Sequence, residues 1–309
     1  MLAIVGGLGA ALVFATVTLC NSRSSRMIGP SHLLAWVMLI GLAIVAPLVV
    51  LEGVPDGLDA ESGAWLAVAG VGNVVGLLLA YAALRVGKVG IVAPVIATQG
   101  AVAAVLAVVA GESIGAAAGV CLAAIAVGVV LAGLSNEAAE EGLGAAGDGE
   151  GAGPRSAGGG EGAGPRSAGA LEQRRALLYA LGAAFAIGWS LYATARASID
   201  LPVVWALLPS RVIGVAAVTV PLVLRSGLRM TREALPLVLV AGAFEVLGFA
   251  LFALGARHGI AVSAVLASQF AAVAAVAAYF LFGERLARIQ LAGVALIVVG
   301  VGVLSAVEA

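Results

Sequence analysis

Charge is what this sequence has least of. Only 11% of its 309 residues are Asp, Glu, Lys or Arg, and 62% are hydrophobic. A soluble domain carries roughly a quarter charged residues, so an ordinary water-soluble domain is excluded; the mean hydropathy of +1.14 points the same way. The net charge of −1 leaves no basic excess for a nucleic-acid backbone, and no nucleic-acid partner is expected. Cysteine is nearly absent as well. Cys20 and Cys121 lie in or at the end of apolar runs, where they read as small packing residues, so neither a disulfide framework nor a CxxC metal pair is indicated. GxSxG, HExxH, Walker A and dinucleotide fingerprints are all missing. The expectation is a chain that is not an enzyme, with no catalytic residue, no cofactor and no metal.

What is there is a series of apolar runs of about 20 residues, the length that crosses roughly 30 Å of hydrocarbon as a helix. Ten such spans read at 2–20, 32–51, 63–84, 89–110, 115–134, 176–196, 202–224, 234–256, 260–282 and 288–306. The first lacks the basic flank of a signal peptide and is long enough to span, so it is kept as a helix. Gly72-x-x-x-Gly76 and Gly115-x-x-x-Gly119 are small-residue seams that let membrane helices approach closely. Gly111-Glu112-Ser113 and Gly283-Glu284-Arg285 read as tight helix–helix turns.

Residues 135–175 differ in kind. They are rich in Gly, Ala, Ser and Glu, and EGAGPRSAG occurs at 150–158 and again at 161–169. Such a stretch cannot bury enough apolar surface to offset chain entropy and is predicted to be a disordered linker. It separates a first repeat, 1–134, from a second, 176–309. The halves carry the same landmarks in the same order: Ala83-Leu84, Thr98-Gln99, Gly111-Glu112 and Gly128, then Ala253-Leu254, Ser268-Gln269, Gly283-Glu284 and Gly300. Leu to Gln is 15 residues in both halves, and Glu to Gly is 16 in both. The fold predicted is therefore an all-α integral membrane protein of ten transmembrane helices in two five-helix repeats. An odd number of helices per repeat inverts the second copy relative to the first.

Loop charge sets the expected orientation. Odd-numbered loops carry thirteen Lys and Arg residues, even-numbered ones only Arg196 and Arg257. Positive residues stay inside, which puts the linker in the cytoplasm and both termini outside, in a multi-pass protein of the cell (plasma) membrane.

Two segments carry a family resemblance. YAALRVGKVGIVAPVIATQGAVAAVLAVVAGE at 81–112 resembles the half-repeat of the EamA-like family of the drug/metabolite transporter superfamily. So does LFALGARHGIAVSAVLASQFAAVAAVAAYFLFGERLARIQLAGVALIVVGVGVL at 251–304, whose GER…Q…G…G ending is the more typical. The resemblance implies ten helices in inverted repeats, a central substrate cavity, and export or exchange of small metabolites. The small multidrug-resistance relatives carry a carboxylate in their first helix; here the first span has none, so their proton-coupling mechanism does not carry over. Family members often have cytoplasmic termini, whereas the charges here argue the opposite.

An ionisable side chain at mid-membrane costs roughly 2.5–3.5 kcal/mol on insertion scales and needs a partner or a role. Arg211, mid-way along the seventh span, and Glu245, mid-way along the eighth, are the two such residues. They read either as a pair that fixes helix packing, or as a site in which Glu245 titrates or binds a cation and Arg211 anchors a substrate carboxylate or phosphate. Asn73, Gln99 and Gln269 sit at similar depth, either as interhelical hydrogen-bonding groups or as substrate ligands. Trp189 and Tyr192, with Trp36 and Tyr81, are candidate cavity aromatics; Trp65 and Trp205 read as interfacial anchors. Pro209, two residues before Arg211, is a candidate kink. Glu112 and Glu284 read as structural turn residues.

The leading expectation is a secondary active transporter, an exporter or exchanger of a small metabolite such as an amino acid, working by alternating access around a midplane site. Its partners would be that substrate, the bilayer and, for uphill transport, an ion gradient. Two alternatives stand: a magnesium-like cation carrier with Glu245 as main ligand, and a non-transporting membrane scaffold acting through its linker.

Overall fold

The computed structural model describes residues 1–86, 95–133 and 165–282, with positions 292, 293, 295, 296, 299, 300 and 303 of the last span. The start of the fourth span at 89–94, the turn at 283–285, most of the tenth span, and residues 134–164 with most of the expected linker lie outside the described residues. Among the described residues every regular element is a helix. In chain order these are α1 (Leu2–Ile28), α2 (Pro30–Glu52), α3 (Ala60–Val86), α4 (Gln99–Val109), α5 (Ala116–Gly133), α6 (Pro165–Asp200), α7 (Val203–Gly214), α8 (Val220–Ser226), α9 (Leu235–Ala256), α10 (Ile260–Ala267) and α11 (Phe270–Phe282). A π-helical turn, Val215–Thr219, joins α7 to α8 in one span. Among the described residues six helices are long and apolar enough to cross a bilayer; α4, α5 and the α10–α11 pair are shorter apolar helices.

Glycine and proline set the boundaries. Gly29 takes φ 85° after α1, its N–H donating to the Ser25 carbonyl, and Pro30 opens α2 at a position where a missing N–H costs nothing. Gly53 ends α2 in the same left-handed region. At the start of α3, Asp59 and Ser62 cap reciprocally: the Ser62 N–H donates to Asp59 Oδ1 at 2.8 Å, and the Asp59 N–H to Ser62 Oγ at 2.9 Å. The Ser62 backbone N–H, and then its hydroxyl, hold the Asp59 carboxyl below its ordinary range.

Two boundaries differ from expectation. α1 runs on past Cys20 to Ile28, because nothing breaks the helix before Gly29; exposed Arg23 and Arg26 sit at its C-terminal end, where cations suit the helix dipole. α6 begins at Pro165, inside the expected linker, although its membrane-crossing part starts at Arg174.

The outer surface is apolar: Val5, Leu12, Val50, Val105, Phe185 and Leu224 are exposed, while Asn73, Arg211, Glu245 and Gln269 are buried. A chain that is greasy outside and polar within is built for lipid. The helices pack in matched pairs, α3 along α6 and α1 along α9, α3 on α7 and α9 on α2, α4 on α6 and α10 on α1. Gly72 and Gly76 let α3 close onto Ser190 and Ile187 of α6, as their spacing predicts. Among the described residues the second seam makes no such approach: Gly115 meets nothing and Gly119 only Ile114.

Candidate functional site

α4 and α10 make the centre. Both are interrupted at equivalent residues. The chain is helical at 95–97, turns at Thr98 and resumes at Gln99; it is helical to Ala267, turns at Ser268 and Gln269, and resumes at Phe270. Each hydroxyl donates to a carbonyl three residues back, Thr98 Oγ1 to Val95 and Ser268 Oγ to Val265, both at 2.7 Å. The breaks face one another: a Cβ added at Gly100 would lie 2.6 Å from Ser268 Cβ and Oγ, and would meet the Ala264 carbonyl. Only glycine allows this approach.

A cavity of about 170 Å³ opens beside them. Its polar wall is Thr18, Asn21, Asn73, Gln99, Ser268 and Glu245; Phe14, Phe249, Phe270 and Tyr81 supply aromatic surface. Asn73, Gln99 and Glu245 are therefore brought together as the sequence suggests, and Tyr81 joins them.

Arg211 is not on that wall. It is fully buried behind Glu245, its Nη1 lying 3.1 Å from Glu245 Oε2. Gly41 makes room for it, since a Cβ there would come within 2.8 Å of Arg211 Cδ. Its guanidinium stands 5.8 Å from the centre of the Phe249 ring, and Nη1 reaches Met38 Sδ at 3.7 Å. Nε and Nη2 have no hydrogen-bond partner, and Glu245 Oε2 accepts no well-directed hydrogen bond despite the short distance. The pair is close but under-satisfied. Pro209 lies inside α7, and the helix departs from regularity after Arg211, at the π turn.

Gln269, Trp189 and Tyr192 also stay off the wall. Gln269 folds back, Nε2 donating to the Val265 carbonyl at 3.2 Å. Trp189 and Tyr192 stack edge to face at 6.4 Å, and Tyr192 meets Trp65 at 5.6 Å. On α6 it is Ile187 and Leu191, one turn apart, that face the cavity, which directs Trp189 and Tyr192 elsewhere around the helix. Trp36 donates to the Arg229 carbonyl and Trp205 to the Gly53 carbonyl, both at 3.0 Å, as groups near span ends do. Asn21 and Thr18 escape the sequence reading because Asn21 falls just past the apolar run. Positions 14, 17, 18 and 21 are one face of α1, and its continuation carries Asn21 to the wall.

Residues 1–134 match the EamA-like transporter family. That family belongs to the drug/metabolite transporter superfamily, and with its long apolar helices the chain is a multi-pass membrane protein. A crystal structure superposes with a TM-score of 0.72 over 99% of this chain and 96% of that one, at 18% identity; this is likeness of fold. No curated protein sequence matches the chain.

The turn after the EamA-like α4 reaches into the second half. Glu112 accepts the N–H of Ile260 and of Ala261, each at 3.1 Å, capping α10. This is the structural role its position suggests. Losing a helix cap costs about 0.5–2 kcal/mol, so Glu112→Ala should lower stability by that amount while Glu112→Gln keeps part of it. Unfolding midpoints in detergent would check this, and equal midpoints for both variants and the parent would refute the cap.

Proposed function

We propose that this protein is a secondary active transporter of a small metabolite, carrying it by alternating access through the cavity between its two halves. The observation that carries the reading is the convergence of two equivalent helix breaks, with Asn73, Gln99 and Glu245, on one cavity. Interrupted helices meeting at mid-membrane are how secondary transporters expose polar backbone to a substrate. At about 170 Å³ the space is below the roughly 300–1,000 Å³ of drug-sized pockets and suits an amino-acid-sized compound. Matched helix pairings support ten helices as two inverted repeats, 1–134 and 176–309, joined by the linker at 135–175. With one carboxylate on the wall, the cavity has too few oxygen charges for a hard metal ion. No cluster of three or more His, Cys, Asp or Glu side chains occurs among the described residues either.

Counterflow in proteoliposomes against a metabolite panel tests the function. Flux of at least one compound is expected, and none from intact protein would refute it. Gln99→Ala removes a wall group whose net hydrogen-bond contribution is about 0.5–1.5 kcal/mol, so kcat/KM should fall several-fold to about tenfold. Unchanged kinetics would take Gln99 out of the site.

The charge bias supports a plasma-membrane topology with a cytoplasmic linker and both termini outside. A C-terminal alkaline phosphatase fusion should then be active and a C-terminal fluorescent-protein fusion dark; the reverse pattern overturns the orientation.

A further inference from the structure

The buried, unpartnered side-chain atoms of the cavity-lining residues are all of one kind. Asn21 Oδ1, Gln99 Oε1 and Glu245 Oε2 are all buried atoms with no hydrogen-bond partner, and all three belong to lining residues. All three are acceptors. The unpartnered donors of Arg211 belong to a residue that does not line the cavity. Among the described residues Glu245, 8% exposed, is the one charged side chain on the wall. Buried acceptors without partners are uncommon in folded proteins and call for an explanation, such as a ligand that supplies the donors.

The apolar part of the wall agrees with the polar part. Phe14 lies edge to face with Phe249 at 5.2 Å and with Phe270 at 6.5 Å. All three rings, with Tyr81, line the same space. Ring faces attract cations, and Phe249 already has the Arg211 guanidinium 5.8 Å from its centre. An anion would meet the Glu245 carboxylate and the unpaired carbonyl oxygens of Asn21 and Gln99.

We propose that the substrate is a small organic cation, a protonated amine on a compact apolar body, with its ammonium group placed among Glu245, Gln99 and Asn21. An ammonium offers three donors and no acceptor, matching the three unmet acceptors. Arg211 then holds the Glu245 carboxylate in place from behind, 3.1 Å away, rather than receiving a substrate anion itself. This proposal rests on the transport reading above and names its cargo class.

The test uses purified full-length protein in detergent and three probes of similar size: phenethylamine, 2-phenylethanol and 3-phenylpropanoate. Binding is read from the rise in melting temperature with probe concentration. Phenethylamine should bind at least roughly tenfold, and up to roughly a hundredfold, more tightly than either other probe, the usual effect of a charge-assisted hydrogen bond. Glu245→Gln should remove that preference. Because it leaves Arg211 buried without a counter-ion and can fail to fold, the double variant Arg211→Gln/Glu245→Gln is made beside it. That variant keeps both volumes and no net charge, and should bind the amine and the alcohol alike. The proposal is overturned if 3-phenylpropanoate or 2-phenylethanol binds as tightly as the amine, if the folded double variant retains the preference, or if no probe stabilises the folded protein. Counterflow separates the two readings. Flux of a neutral or anionic metabolite would leave transport standing and sink the cation; selective amine binding with no flux of any compound would do the opposite.

Discussion

Arg211→Met should destabilise the folded protein by about 3–5 kcal/mol, the usual consequence of removing one partner of a buried ion pair. Glu245 would then be left with its carboxylate buried and its one cationic neighbour gone, 3.1 Å away in the parent. The complementary experiment decides what the pair is for. In Arg211→Met/Glu245→Leu both charges go and the volumes are kept. Replacing a whole buried pair by apolar residues is often neutral or stabilising, and here Nε and Nη2 of Arg211 are unpartnered in the parent, so the pair starts from a deficit. The double variant should therefore recover most of the loss, melt near the parent, and carry no substrate. Midpoints of denaturation in detergent and counterflow in liposomes measure the two properties separately. A double variant as unstable as the single one would mean that the pair holds α7 and α9 together. A double variant that still transports would mean that the pair lies outside the mechanism.

This pair was the most legible feature of the site, and for a physical reason. In a chain so poor in charge, an ionisable residue in mid-span has few explanations, and α7 and α9 each carry one. What the sequence could not say was which partner faces the cavity. That depends on Gly41, which opens a slot on α2 for the guanidinium, a contact between residues 170 positions apart. Span ends were legible where Gly29, Pro30 and Gly53 punctuate them, and misplaced at α1, where hydropathy falls at Cys20 but the backbone has no reason to stop before Gly29. Helix phase accounts for the misassigned aromatics. Trp189 and Tyr192 are the right residue types on the right helix, but Ile187 and Leu191 occupy the inner face. The breaks at Thr98 and Ser268 contain neither proline nor glycine; the clue was the repeated hydroxyl-Gln pair, whose hydroxyls turn back onto the chain. Glu112 was readable as a turn residue, yet its carboxylate caps a helix of the other half, which local sequence cannot reveal.

Gly100→Ala should be among the most damaging small substitutions at the described positions. The methyl group would sit 2.6 Å from Ser268 Cβ and Oγ, and against the backbone carbonyl of Ala264, which has no rotamer to move into. α4 and α10 must separate to admit it. Overpacking of this kind costs about 1–3 kcal/mol, but the larger effect should be on transport. The same contact holds the two breaks face to face, and Gln99 and Ser268 on either side of it are wall residues. Parting them displaces the substrate groups by a fraction of an ångström, and misplacements on the order of 1 Å can cost about a hundredfold in rate. Flux should thus fall by more than about tenfold in protein that still folds. Gly119→Ala is the matching control, because among the described residues its new methyl would meet only Ile114 Cδ1 at 3.7 Å, an ordinary contact. There alanine should leave flux unchanged and melting equal or slightly raised, since it favours the helix more than glycine does. If Gly100→Ala behaves like Gly119→Ala, the two interrupted helices do not need to touch, and the site cannot be organised around their contact.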